Sequence, residues 1–117
     1  SLIPCYGLMT DLVWADPDSK CPGWTVSNRR ISYTFNDANI KEFCEILKID
    51  LIVRAHQIND EMRGGYKFFA DGLLVSIFSA PNYLNSRNTG AVMKIDPNWN
   101  CQFITFTGVE LENNGGK

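Results

Sequence analysis

The chain has 117 residues, of which 44% are hydrophobic and 12% aromatic, so it is long enough to bury the core of one domain. Its 11 basic and 13 acidic residues give a formal charge of -2, which excludes the strong positive field that attracts nucleic acid or anionic membranes. No apolar stretch is long enough to cross a bilayer and no secretory pattern is present, so we expect a cytoplasmic or nuclear protein with neither kind of partner.

The four cysteines do not form a zinc or redox motif. They lie 16, 23 and 57 residues apart, so no Cys-x-x-Cys pair is present. We expect reduced, structural thiols.

The N-terminal part of the chain is predicted to contain two strands joined by a loop. Leu12, Val13 and Trp14 lie in an apolar stretch that predicts a strand over residues 8–15, ending at a run of turn-forming residues. The loop continues to Arg30, and the β-branched and aromatic residues of Ile31–Phe35 predict the second strand.

One amphipathic helix follows. Ile40, Cys44 and Leu47 lie on one face at helical spacing, together with Phe43. Asp37 or Asn39 is the expected N-cap, and Glu42 is placed for a capping box with Asn39. No other segment predicts a helix as clearly.

The C-terminal half is predicted to be mostly β. Leu51–Val53 forms a short apolar run, typical of a buried strand that delivers polar residues at its C-terminal end. Four further strands are predicted, over Tyr66–Phe69, Leu73–Phe78, Gly90–Ile95 and Cys101–Thr107. Residues 110–117 are expected to form a polar tail, which leaves 1–109 as the domain.

Several polar residues are candidates for chemistry, but each has a structural alternative. They are Asp16, Arg29, Arg30, Arg54, His56, Asn82 and Tyr83. His56 is the only histidine, and a lone histidine after a strand is more often structural than a metal ligand. Arginines in a loop capture phosphate through a planar guanidinium, yet most are simply solvated. The sequence contains neither a glycine-rich phosphate loop nor a serine hydrolase elbow.

Five motifs in order resemble those of the phosphoprotein phosphatase family, with the type-1 branch as the best match. The motifs are Leu12–Asp18 (LVWADPD), Gly23–Trp24 followed by Arg29, Ile31–Phe35 (ISYTF), Arg54–Gln57 (RAHQ) and Ser79–Tyr83 (SAPNY). The resemblance extends over nearly the whole chain. It implies an α/β fold, namely the C-terminal part of a metallophosphoesterase β-sandwich flanked by helices, mostly β with one clear helix here.

The resemblance also implies an activity and site residues. The family hydrolyses phosphoserine and phosphothreonine in proteins through two divalent metal ions of the manganese, iron or zinc type, which activate water and neutralise phosphoryl charge. His56 matches a metal ligand, Arg29 the arginine that grips the phosphate, Tyr83 a tyrosine over the cleft, and Asp16 an acidic residue near its mouth. Arg30 stands where the family usually has glycine. The family's remaining metal ligands belong to motifs that are not in this sequence, so we expect an incomplete catalytic domain that is inactive alone.

A docking surface is also implied by the resemblance. Type-1 enzymes bind extended peptides of regulatory subunits in an apolar groove. The matching residues are Leu51, Phe68, Val75, Cys101 and Phe103, for which ordinary core packing is an equal alternative. Two other hypotheses stay open: a short non-catalytic module that binds regulatory peptides, and a gene remnant that does not fold alone.

Overall fold

The computed structural model describes residues 4–108, and the predicted polar tail lies outside them. The described residues form two α-helices and eight strands in three sheets. In chain order the elements are α1 (Leu8–Trp14), β1 (Asp16–Pro17), β2 (Thr25–Val26), β3 (Tyr33–Phe35), α2 (Asp37–Leu47), β4 (Ile52–Arg54), β5 (Tyr66–Phe69), β6 (Leu74–Ile77), β7 (Gly90–Ile95) and β8 (Cys101–Phe106). Short 3-10 turns cover Asp60–Met62, Ala70–Gly72 and Tyr83–Asn85. No helix within residues 4–108 has both the length and the apolarity to cross a membrane.

The expected α/β class is confirmed, but the number of helices is two. Residues 8–14 form α1, and the prediction of a strand over residues 8–15 was wrong. The helix begins after Gly7, whose φ of 99° suits glycine, and the Gly7 carbonyl accepts a hydrogen bond from the Asp11 N–H at 3.0 Å. Leu and Met are good helix formers, and Asp11 places a negative charge in the first turn.

Helix α2 is confirmed, but of its predicted apolar face only Ile40 and Cys44 are buried, while Phe43 and Leu47 are exposed. Its N-cap lies one residue before Asp37 and three before Asn39, the two expected caps. Asn36 is the N-cap, because its side chain accepts from the Asn39 N–H while the Asn39 side chain accepts from the Asn36 N–H. This capping box uses Asn39 as its second member instead of its first. Ile40 and Cys44 face the core, as their spacing predicts.

The described residues divide into two compact units: 4–54 with 68–75, and 55–67 with 76–108. In the first unit, β1 pairs in parallel with β3, and β2 pairs with β3 in the antiparallel direction. The core of this unit lies between α2 and the β5 to β6 segment. Its buried members are Ile40, Cys44, Phe69, Ala70 and Leu74. A second sheet has the strand order β4-β6-β5.

The second unit contains the antiparallel hairpin β7-β8, with Val92 opposite Ile104 and Met93 opposite Phe103. The rings of Tyr66 and Phe103 are stacked at a centroid distance of 3.9 Å. Gly65 lies close to the neighbouring backbone, since a Cβ there would lie 2.8 Å from the Cβ and 2.9 Å from the backbone nitrogen of Ala91. These contacts fix the packing within this unit.

The predicted strands β5 to β8 are confirmed to within one residue at each end. The strand predicted at Leu51–Val53 is shifted by one residue to Ile52–Arg54, and it is half-exposed, with Val53 47% exposed. Arg54 therefore lies inside the strand, in the first unit.

Candidate functional site

A tight loop between β2 and β3 presents Arg29. The Arg30 N–H donates to the Ser27 carbonyl at 2.9 Å, and the Ser27 N–H donates to the Ser32 carbonyl at 3.1 Å. The hydroxyl of Ser27, a buried residue, accepts from the Arg29 N–H at 3.2 Å. The loop backbone is thus held in one conformation by the residues at its two ends.

The Arg29 side chain is oriented by two residues of the first unit. Its Nη2 lies 2.5 Å from Oδ2 of Asp16 and donates to the Trp14 carbonyl at 3.2 Å. Its guanidinium lies over the Trp14 ring, 5.1 Å from the centroid, in a cation–π contact. Packing against a ring and pairing with a carboxylate both restrict the rotamers of a long side chain.

One edge of the Arg29 guanidinium remains available to a ligand. The side chain is 36% exposed, and its Nε and Nη1 make no hydrogen bond to any residue of 4–108. A guanidinium has donors on all three nitrogens in a fixed plane. An anion can therefore bind at Nε or Nη1 without displacing Asp16.

Asp16 holds a second arginine as well. Arg54 donates from Nη2 to Oδ1 of Asp16 at 2.9 Å and to the Ala15 carbonyl at 3.2 Å. The Asp16 side chain is only 5% exposed, and each of its oxygens faces one arginine. The carboxylate therefore acts by positioning the two arginines. With two arginines and one aspartate, the cluster has a net charge of +1.

Burial lowers the pKa of Arg54, and the negative charge and hydrogen bond of Asp16 oppose this effect. An arginine starts from a pKa so high that it stays charged at neutral pH. The positive charge of the cluster is thus permanent under physiological conditions.

Sequence reasoning had named Arg54 among the candidates without assigning it a specific role, and it had not singled out Trp14. The contact between Arg54 and Asp16 joins residues 38 positions apart, and no local pattern indicates such a pairing. The signals at Arg54 were its position at the end of an apolar strand and its place in the motif Arg54–Gln57 (RAHQ).

His56, the predicted metal ligand, belongs to the second unit, where it is exposed and has a φ of 76°. Among residues 4–108, no three His, Cys, Asp or Glu side chains form a group able to hold a metal ion. The described residues do not by themselves build the dinuclear centre that the resemblance implies. The assignment of His56 stays a prediction.

Tyr83, also in the second unit, is 44% exposed, and its ring contacts Phe78 edge-on at 5.2 Å. Its loop is organised by Asn88, which is buried. The Asn88 Oδ1 accepts from the Tyr83 N–H at 2.8 Å and from the Ser86 hydroxyl at 2.7 Å, and its Nδ2 donates to the Ala80 carbonyl at 2.8 Å. Sequence reasoning missed Asn88, because an asparagine in a polar loop carries no distinguishing pattern.

The five residues predicted for a peptide groove are divided between the units. Leu51, Phe68 and Val75 lie in the first unit, while Cys101 and Phe103 lie in the second. Val75 is fully buried, whereas Phe68 is 45% exposed. Phe103 is stacked on Tyr66, and Cys101 is exposed. The groove and its regulatory-subunit peptides stay predictions.

The first unit also contains a cavity of about 470 Å³, lined by residues of both helices. The cavity is lined by apolar residues that include Leu8, Leu12, Trp24 and Phe43, and Arg54 also lines it. Most of its lining residues are apolar, so the cavity offers mainly apolar contacts. Arg54 is already paired with Asp16, and the donors suited to an anion lie at Arg29.

Comparison with known proteins identifies the family of this chain. A family model described as calcineurin-like phosphoesterase matches residues 2–60, half of the chain. The chain belongs to the calcineurin-like phosphoesterase family. That region includes Asp16, Arg29, Arg54 and His56.

A solved structure gives a more particular similarity. It is a protein serine/threonine phosphatase from Saccharomyces cerevisiae, described as similar to human phosphatase PP5. The two share 30% sequence identity with a TM-score of 0.77, over 94% of this chain. The match covers 37% of the yeast chain, so this chain spans well under half of that protein. The predicted metallophosphoesterase fold is confirmed, while the assignment to the type-1 branch stays a prediction.

Proposed function

We propose that this chain is part of a protein serine/threonine phosphatase and that its first unit supplies the arginine that binds the phosphoryl group of the substrate. The observation that carries the proposal is the fixed orientation of Arg29, with its Nη2 on Asp16 and its guanidinium over Trp14. The substrates of the proposed enzyme are proteins phosphorylated on serine or threonine. The similarity to the yeast phosphatase supports this class.

The chemistry of this cluster suits phosphate binding. A planar guanidinium donates charge-assisted hydrogen bonds to phosphate oxygens, and a pre-oriented one loses less entropy on binding. Arg54 also contributes to anion binding, through its pairing with Asp16. By neutralising Asp16 at 2.9 Å, it leaves the charge of Arg29 uncompensated within the cluster, and this favours an anionic ligand.

Membership of the family implies divalent metal ions, which would supply the hydroxide for hydrolysis. Manganese, iron and zinc are the proposed metals, and His56 is the one proposed ligand in this chain. Since residues 4–108 hold no group of three such ligands, we expect the chain alone to show no turnover of a phosphopeptide with added manganese. Binding, not turnover, is therefore the informative assay for this chain.

The test is a titration of the chain with a phosphoserine peptide and, separately, with the same peptide unphosphorylated. Binding is monitored by the fluorescence of Trp14 and the other tryptophans. We expect phosphate-dependent binding that weakens about tenfold or more in Arg29→Lys, because a point charge replaces a planar donor group. Arg63→Lys is the control, since the Arg63 side chain is exposed and pairs with Asp60. Equal affinity for the two peptides, or no loss in Arg29→Lys, would contradict the proposal.

A further inference from the structure

Arg30 occupies a backbone position that favours glycine. It closes the turn that begins at Ser27, and its φ is 63°. A left-handed residue directly after a turn of this kind is usually glycine or asparagine, because a side chain there is crowded by the backbone. An arginine at this position is a local strain that the loop maintains.

A non-glycine residue in a left-handed conformation motivates a search for function. At Arg30 the property that suggests a function is the positive charge of its side chain. Arg30 is exposed and directly follows Arg29, so their Cα atoms are about 3.8 Å apart. The acidic groups that contact this loop are already engaged: Asp16 by two arginines, and Asp11 by the Ser32 hydroxyl at 2.6 Å. Counted together with Arg30, the three arginines and two aspartates have a net charge of +1, and Arg30 is exposed.

We infer that Arg30 is a specificity-determining residue that selects phosphopeptides with an aspartate or glutamate next to the phosphorylated residue. This inference rests on the proposed function, in which Arg29 binds the phosphoryl group. Arg30 then lies within reach of the neighbouring carboxylate and pairs with it. The pair is exposed, so its effect is modest and decreases as salt is raised.

The experiment compares two phosphoserine peptides. One has aspartate on both sides of the phosphoserine, and the other has alanine at both positions. We expect the wild-type chain to bind the aspartate-flanked peptide about fourfold more tightly at low salt. Arg30→Asn removes the charge and keeps a residue that tolerates a left-handed backbone, so it abolishes this preference, and the aspartate-flanked peptide loses more affinity than the alanine-flanked one. Lys48→Gly is the matched control, because Lys48 is also a cation at positive φ, at the end of α2.

A stability measurement separates strain from charge. We expect Arg30→Gly to raise the melting temperature by about 4 °C while it abolishes the preference, so that stability and selectivity change in opposite directions. A preference that survives in Arg30→Asn, or that disappears equally in Lys48→Gly, overturns the inference. Phosphate-dependent binding that needs Arg29 but shows no flank preference overturns this inference alone. Absence of phosphate-dependent binding overturns the proposed function as well.

Discussion

Replacing Asp16 by asparagine tests whether this carboxylate holds the arginine cluster together. Asp16 is 3% exposed, and its two oxygens lie 2.5 Å from Arg29 and 2.9 Å from Arg54. The substitution keeps the shape of the side chain but removes its charge. Arg54, whose side chain is 14% exposed, then loses the negative charge of Asp16 beside its guanidinium.

The two ion pairs contribute unequally to the free energy of unfolding. Removing one partner of a buried ion pair costs about 3–5 kcal/mol, and the partial exposure of Arg54 places its share near the lower limit. Arg29 is 36% exposed, so screening reduces its share to at most about 1 kcal/mol. We therefore expect Asp16→Asn to lower the free energy of unfolding by about 3 kcal/mol. With a urea slope of about 2 kcal/mol per molar, the midpoint falls by about 1.5 M.

The assay is urea unfolding followed by tryptophan fluorescence and circular dichroism. Asp60→Asn is the matched control, since its pair with Arg63 is exposed and is expected to contribute less than about 1 kcal/mol. Combining Asp16→Asn with Arg54→Met should recover part of the loss, because the buried charge of Arg54, which Asp16 no longer balances, is then gone. A loss in Asp16→Asn no larger than in Asp60→Asn would refute this account of the cluster.

Three further predictions concern the second unit. Gly65→Ala should destabilise the chain by about 2 kcal/mol in urea unfolding, because Gly65 has a φ of 89° and its Cβ would clash with Ala91, whereas Gly64→Ala meets no atom within 4 Å and should be nearly neutral. Asn88→Ala should cost about 2 kcal/mol by leaving buried polar groups of the Tyr83 loop unpaired, and amide exchange should quicken at the Tyr83 N–H, which would stay unchanged if Asn88 did not organise the loop. Hydrogen bonds from the side chain of Asn100, and then from its backbone N–H, hold the pKa of Asp96 below its ordinary value of 3.8. Ionised Asp96 therefore stabilises the fold above that pH. The loss of stability in Asp96→Asn should become smaller as the pH falls through the pKa of Asp96 in the folded chain. An Asp96 pKa at or above 3.8 by NMR would contradict the last of these.

Local patterns in the sequence predicted most of the elements that local patterns determine. Helix α2 has a clear apolar face at Ile40 and Cys44, and the strands after Gly65 are separated by turn residues. Helix α1 was mistaken for a strand because the consecutive apolar residues Leu12–Trp14 resemble a short buried strand, and its start depends on the positive φ of Gly7. Such backbone geometry is not visible in composition.

The candidate site was predictable only in part. Resemblance to the family singled out Arg29 and Asp16, and the structure places them 2.5 Å apart. Arg54 and Trp14 complete the cluster. Arg54 contacts Asp16, which is distant in the sequence, and Trp14 contacts Arg29 through its backbone carbonyl. Neither type of contact leaves a periodic or local signal in the sequence. The strain at Arg30 likewise became visible only with its backbone angle of 63°.

The most direct test of the central claim is an NMR titration of the side-chain Nε–H of Arg29 with the phosphoserine peptide. The account predicts that this resonance shifts as peptide is added, and that the shift gives the same dissociation constant as the fluorescence titration. The Nε–H resonance of Arg63 should stay unchanged. A phosphopeptide that binds without moving the Arg29 resonance would contradict the assignment of Arg29 as the phosphate-binding residue.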